Sequence, residues 1–150
     1  MKNSCVEISV YGEKNYRLFL DIIKQELDVI GVCDINAIQA FILLNIGENV
    51  ITIGEIIARG YYIGSNASYN IRKMILNGYV VQTKSDYDRR AAFLKLTDKG
   101  LTLTEKLERI LQRHLEAFGK HSKGKFDVEQ CIAFLKKVEH FWKDILSRSV

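Results

Sequence analysis

The stretch Gly64-Ser65-Asn66-Ala67-Ser68-Tyr69-Asn70-Ile71-Arg72-Lys73-Met74-Ile75-Leu76-Asn77-Gly78 has the pattern of a two-faced helix. Ala67, Ile71, Met74 and Ile75 recur at helical spacing and make a narrow apolar stripe. Ser65, Asn66, Tyr69, Arg72 and Lys73 fall on the other side, which carries cations, amides and hydroxyls and no acid. Groups of this kind bond phosphate oxygens and base edges. Ser65 reads as the N-cap, since its hydroxyl can accept from a free N–H of the first turn. Gly78 reads as the stop, a left-handed residue without a Cβ clash. A plain solvated helix would show the same two faces, so the flanking chain has to decide.

Upstream, Thr52-Ile53-Gly54-Glu55 is a capping box that opens a short helix to about residue 58. Residues 60–64 form a turn between two glycines and carry Tyr61, Tyr62 and Ile63. Short helix, glycine turn, second helix is the helix-turn-helix order. Downstream, residues 79–84 and 91–96 are β-rich and enclose the polar tip Ser85-Asp86-Tyr87-Asp88-Arg89-Arg90. Two such runs around a short tip predict a hairpin, and a hairpin directly after a helix-turn-helix is a wing. Its arginines suit a narrow, negative minor groove. Asp86 and Asp88 sit where a carboxylate could aim an arginine through a bidentate pair.

Working outward, residues 1–11 read as a loose lead-in and residues 15–30 as a helix stopped by Gly31. Asp34 is the predicted cap of a second helix that contains Ile35, Ile38, Phe41, Ile42 and Leu44 and closes at Gly47. Residues 50–51 look like a very short strand. Thr97 is the predicted cap of a long helix from about 98 to 118, followed by a basic break over 119–125. A second capping-box candidate at 127–130 opens a final helix to about 146, with Cys131 inside its apolar stripe and therefore expected to be buried. The fold class is mostly α with a small β-hairpin wing (α+β). A single unit over 12–150 would hold a winged helix-turn-helix lobe at 34–97 and helices for dimerisation at 12–33 and 98–147. The terminal stripes exceed what one small lobe can bury. Pairing across a two-fold axis would bury them and set two recognition helices about 34 Å apart on a pseudo-palindromic duplex.

Composition narrows the alternatives. The chain has 150 residues, 47% of them apolar, no proline and a net charge of +4, enough for a real core and for tolerance of polyanions. Three scattered cysteines and three scattered histidines give neither a disulfide framework nor a metal-ligand spacing, so no metal and no cofactor are expected. Neither a signal peptide nor a membrane span is read, which predicts a cytoplasmic protein. No nucleophile–base arrangement or phosphate loop is present to suggest an enzyme.

The tip Ser85-Asp86-Tyr87-Asp88-Arg89-Arg90, a strand, and then Leu96-Thr97-Asp98-Lys99-Gly100 resemble the wing signature of the MarR family of dimeric winged-helix transcription regulators. The element order from 15 to 146 is similar to that family as well. Asp34-Ile35-Asn36, Leu44-Asn45-Ile46-Gly47 and Arg59-Gly60-Tyr61-Tyr62-Ile63-Gly64-Ser65-Asn66-Ala67-Ser68-Tyr69-Asn70 look like the alphaproteobacterial LdtR-type subgroup, which is linked to cell-wall and stress control. The resemblance implies double-stranded DNA as partner and a homodimer, and the lack of a long apolar run predicts no membrane partner. The resemblance places Ser65, Asn66, Ser68, Tyr69, Arg72 and Lys73 on the groove and phosphates, with Arg90 in the minor groove braced by Asp88 and Arg89 on phosphate. It also implies an effector in a cleft between the arms and the lobe, and a small phenolic or carboxylic aromatic would suit the lining expected there. By position Phe19, Ile23, Ile38, Phe41, Ile42, Tyr61, Tyr62 and Leu111 could line that cleft, although each also reads as plain core. Two alternatives stay open. One is thiol-based redox switching at Cys33, and the other is a winged helix that docks on a protein partner.

Overall fold

A chain without proline loses no ladder N–H to a ring nitrogen, so its helices can run long. The computed structural model describes residues 4–59, 64–84, 92–122 and 127–148, with Ser65 and Lys84 placed by their backbone alone. The described elements are α1 (Ser4–Val29), α2 (Ala37–Ile46), β1 (Ile51–Thr52), α3 (Ile53–Ala58), α4 (Gly64–Leu76), β2 (Val80–Lys84), β3 (Ala92–Leu96), α5 (Asp98–His121) and α6 (Val128–Ser147). The chain is mostly helical, with one small antiparallel sheet. It divides into two units, Met1–Leu111 and Gln112–Val150, with the division inside α5.

In the first unit, α3 and α4 form the helix-turn-helix and the sheet runs in the order β1-β3-β2. β2 and β3 are the wing strands, paired from Val80 with Leu96 to Lys84 with Ala92. β1 adds a third strand through Ile51 with Leu94 and Thr52 with Phe93. The core draws on every layer: Ile23 and Leu27 of α1, Ile42, Leu43 and Ile46 of α2, Ile71 and Met74 of α4, Leu94 and Leu96 of β3, and Leu103 and Leu107 of α5. In the second unit α6 is capped by Asp127, whose carboxylate accepts from the Gln130 N–H at 3.0 Å, and it buries no residue.

The predicted capping box at Thr52 is present. The Thr52 hydroxyl accepts from Glu55 N–H at 3.1 Å and the Glu55 carboxylate accepts from Thr52 N–H at 2.6 Å. Several boundaries differ from the sequence reading. The lead-in is helical from Ser4, because nothing before Gly12 breaks a helix and Gly12 itself stands in open space. The cap of α2 is Asn36, not Asp34. Asn36 exchanges both box bonds with Gln39, while the Asp34 side chain is drawn to Lys99 and Tyr79. Ser65 lies inside α4, which starts at Gly64, so it is not the N-cap. The short strand starts one residue later than expected, at Ile51. α5 continues through Gly119 to His121, and Cys131 is exposed, since α6 buries none of its stripe in this chain.

One close approach sets the wing against α5. The Tyr79 carbonyl accepts from Thr97 N–H at 3.0 Å, and the Thr97 hydroxyl caps α5 by accepting from Gly100 N–H at 3.2 Å. A Cβ at Gly100 would be driven into the Tyr79 carbonyl oxygen and against Leu96. Gly100→Ala is therefore expected to cost about 1–3 kcal/mol of stability, read as a lower denaturant midpoint with an unchanged slope. An unshifted midpoint would contradict this packing.

Candidate nucleic-acid interface

The inner face of α4 is sealed. Ala67, Ile71 and Met74 are buried, and the buried Asn70 sits among them. The Asn70 side-chain carbonyl accepts from the Gln39 amide of α2 at 3.2 Å, and its own amide donates to the Asn66 carbonyl at 2.9 Å. Both polar groups of a buried amide are thus partnered, as burial requires. The outer face is open. Asn66, Tyr69, Arg72 and Lys73 are exposed and Ser68 is half-buried. Tyr69 keeps 58% of its surface, so it stands outward rather than packing on a neighbouring helix. The Lys73 ammonium lies 6.0 Å from the centre of its ring, at the outer range of a cation–π contact. α4 carries no acidic side chain.

Of the other expected DNA contacts, Asp88, Arg89 and Arg90 lie outside the described residues, as does the Ser65 side chain. Tyr61 and Tyr62 of the expected cleft also lie outside them. The remaining cleft candidates differ in exposure. Ile23 and Ile42 have no exposed surface. Phe19 and Phe41 are partly buried and pack edge-to-face with ring centres 5.4 Å apart. Ile38 is open to solvent and Leu111 is half-buried. Cys33 is exposed, with its thiol 4.0 Å from the Gly31 carbonyl.

Two features were missed from the sequence. Lys95 is exposed on wing strand β3, opposite Val81. Alternation with the buried Leu94 and Leu96 carried that signal. The second is a latch at the exit of α4. The Tyr79 hydroxyl donates to the Asp34 carboxylate at 2.6 Å, and the Lys99 ammonium donates to the same carboxylate at 2.8 Å and to the Asn77 carbonyl at 2.9 Å. Lys99 also stands 4.0 Å over the Tyr79 ring, and the Asn77 amide donates to the Asp34 main-chain carbonyl. Three segments distant in the chain therefore meet where the recognition helix ends.

A model of a winged helix DNA-binding domain matches residues 35–100. Over 136 residues the chain is 31% identical to the exopolysaccharide II synthesis transcriptional activator ExpG of Rhizobium meliloti, covering 91% of this chain and 70% of that protein. The chain belongs to the MarR family of winged-helix transcription regulators. Solved structures share the fold. A MarR-family regulator from Listeria monocytogenes complexed with a 26mer DNA matches with a TM-score of 0.76 at 20% identity, over 96% of this chain and 91% of that one. BldR of Sulfolobus solfataricus matches with a TM-score of 0.74 at 18% identity, over 91% of this chain and 95% of that one. In this MarR-family chain α4 is the second helix of the helix-turn-helix.

In this MarR-family lobe the contacts of the latch shift the titration of its own groups. Desolvation is the largest influence on Asp34 and pushes its carboxyl up. Hydrogen bonds from Lys99 and Tyr79, with the Lys99 charge, outweigh it and hold the carboxyl below its usual value. The same contacts act on the partners. Desolvation first, and then the Asp34 bond, push the Tyr79 phenol up, while the Asp34 bond raises Lys99 against a smaller opposing desolvation. A carboxyl with a depressed folded pKa stabilises the fold above its unfolded pKa, and that stability is lost as pH falls through the folded value. Unfolding free energy is thus expected to fall below about pH 4, and Asp34→Asn should be less stable at neutral pH with a flatter acid limb. Parallel acid limbs in denaturant titrations from pH 2 to pH 7 would exclude the latch as a contributor.

Proposed function

We propose that this regulator works as a homodimer that grips a pseudo-palindromic duplex with two copies of α4 and two wing tips. The observation that carries the reading is the outer face of α4, where Asn66, Tyr69, Arg72 and Lys73 are exposed without an acid among them. In this reading Ser65, Asn66, Ser68, Tyr69 and Arg72 meet the groove, Asn66 suits an adenine and Arg72 a guanine. Lys73 takes phosphate. Arg90, braced by Asp88, enters the minor groove and Arg89 takes phosphate. The known relatives are transcription regulators rather than enzymes, and several solved relatives are complexes with DNA.

Support for the dimer comes from apolar surface. Phe134, Leu135, Phe141, Trp142 and Leu146 of α6 are exposed, as are Leu115 and Phe118 of α5 and Val6, Val10, Tyr11 and Leu18 of α1. Exposed apolar side chains in such number on each of these helices mark a protein interface. Among the described residues no helix is long and apolar enough to cross a membrane. We take a small aromatic effector as the regulator's signal, seated beside Phe19, Phe41, Ile38 and Leu111. Genes for envelope polymers or stress tolerance form the target class, a reading supported by the name of the ExpG relative.

Anisotropy titrations on a footprinted duplex test the interface. Lys73→Ala and Arg90→Ala should each lower the slope of log affinity against log salt by about one per lost contact. Arg72→Ala should cost about 1–3 kcal/mol and relax preference at one base pair per half-site. Unchanged slopes in all three variants would refute the docking face. Sedimentation should give twice the chain mass for the wild type and a shift towards monomer, with weaker duplex binding, for Leu135→Glu. A monomeric wild type would overturn the dimer.

A further inference from the structure

A cavity of about 530 Å³ opens at the junction of α1 and α2, within the size range of small-molecule sites, about 300–1,000 Å³. Its floor is apolar, made by Leu27, Val32, Ile35 and Ile38, and two opposite charges, Lys24 and Asp28, stand on its α1 wall. These two are one helical turn apart. Among the described residues neither makes an ion pair, with the other or with a third group. Of the residues expected to line the aromatic cleft, Ile38 is the one that borders this cavity.

The cavity wall continues into the segment that holds α4 from behind. Gly31, left-handed at φ 74°, starts that segment, and Asn36 ends it as the cap of α2. Between them, Asp34 is tied to Asn77, Tyr79 and Lys99. Asn36 is tied to Gln39, whose amide bonds the buried Asn70 in the middle of α4. Six residues of linker thus hold the exit of the recognition helix directly, and its middle through Gln39 of α2, while bordering an open cavity.

We propose that this cavity is a binding site for a small zwitterion with an apolar body, an aromatic or branched free amino acid. Its carboxylate pairs with Lys24, its ammonium pairs with Asp28, and its side chain covers the apolar floor. A simple acid would leave Asp28 facing the ligand unpaired, and a simple amine would leave Lys24 so. Occupancy packs against Val32 and Ile35 on either side of the Cys33–Asp34 pair, and shifts the linker that positions Asn70 and Asn77. That second step rests on the DNA-binding reading for its consequence, whereas the binding step does not.

Calorimetry on the full chain with L-phenylalanine and L-leucine is expected to show saturable binding. Phenylacetate and phenethylamine should bind about tenfold more weakly or worse, as should L-phenylalanine to Lys24→Ala and Asp28→Ala, whose side chains are exposed and leave the fold intact. Side-chain amide resonances of Asn70 and Asn77 should move with the same saturation curve, and duplex affinity should change in step. Absence of saturation in the millimolar range, equal binding of the acid or the amine, or full binding by both variants would overturn the site. Binding with the two amides unmoved would overturn the coupling. Binding with moving amides in a protein that engages no duplex would uphold the site and its linker and sink the DNA-binding reading instead.

Discussion

The inward face of α4 is the constraint on which the lobe depends. Ala67, Ile71 and Met74 lie three and four residues apart and are all removed from solvent. Burying side chains such as Ile71 and Met74 stabilises by about 1.5–3 kcal/mol each. A rotation of the helix by one residue would expose part of this stripe and turn either Arg72 or Lys73, depending on its sense, towards the core. Unpaired buried charge costs several kcal/mol, so the helix has one acceptable orientation. The outer face is therefore what remains when the core is satisfied. Apolar contact alone lets a helix slide along its axis. The Gln39–Asn70 amide bond removes that freedom, because a hydrogen bond has a direction and a narrow range of distance.

The exit of the helix is held by geometry more than by charge. The Lys99–Asp34 pair is about half exposed, and exposed ion pairs contribute little to stability. What the latch supplies is convergence. Lys99 touches a carboxylate, a helix-end carbonyl and an aromatic face at once. Gly78, left-handed at φ 76°, turns the chain there, and the Thr97 hydroxyl donates to its carbonyl at 2.6 Å. The side-chain-free Gly100 lets α5 approach the Tyr79 carbonyl closely enough for the wing to start directly after α4. Recognition helix, wing and α5 thus share one corner of the lobe.

The terminal helices follow a different logic. α6 has a strongly two-faced sequence and buries nothing within its own chain, and the outer part of α1 is likewise exposed. Water-exposed Phe134, Phe141 and Trp142 would be a solubility liability on an isolated chain. Such faces are better explained by the subunit pairing proposed above than by the needs of either unit alone.

Local periodicity made much of this protein legible from residue order. The stripe of α4, the Thr52–Glu55 box and the β-rich wing strands are set by residues close together in the chain. The family's wing signature added the fold. Where two local solutions were equally good, residue order could not choose. Asp34 and Asn36 are both sound helix caps, and Asn36 takes the role because Tyr79 and Lys99, 45 and 65 residues away, claim the Asp34 carboxylate. In the same way Asn70 reads as one more polar residue until Gln39, 31 residues earlier, is seen to meet it in the core. The helical start of α1 was hidden because its first turns are exposed and no buried stripe marks them. Backbone geometry writes a repeat into adjacent residues, whereas the choice of a distant partner is made only when the folded chain brings both groups to one place.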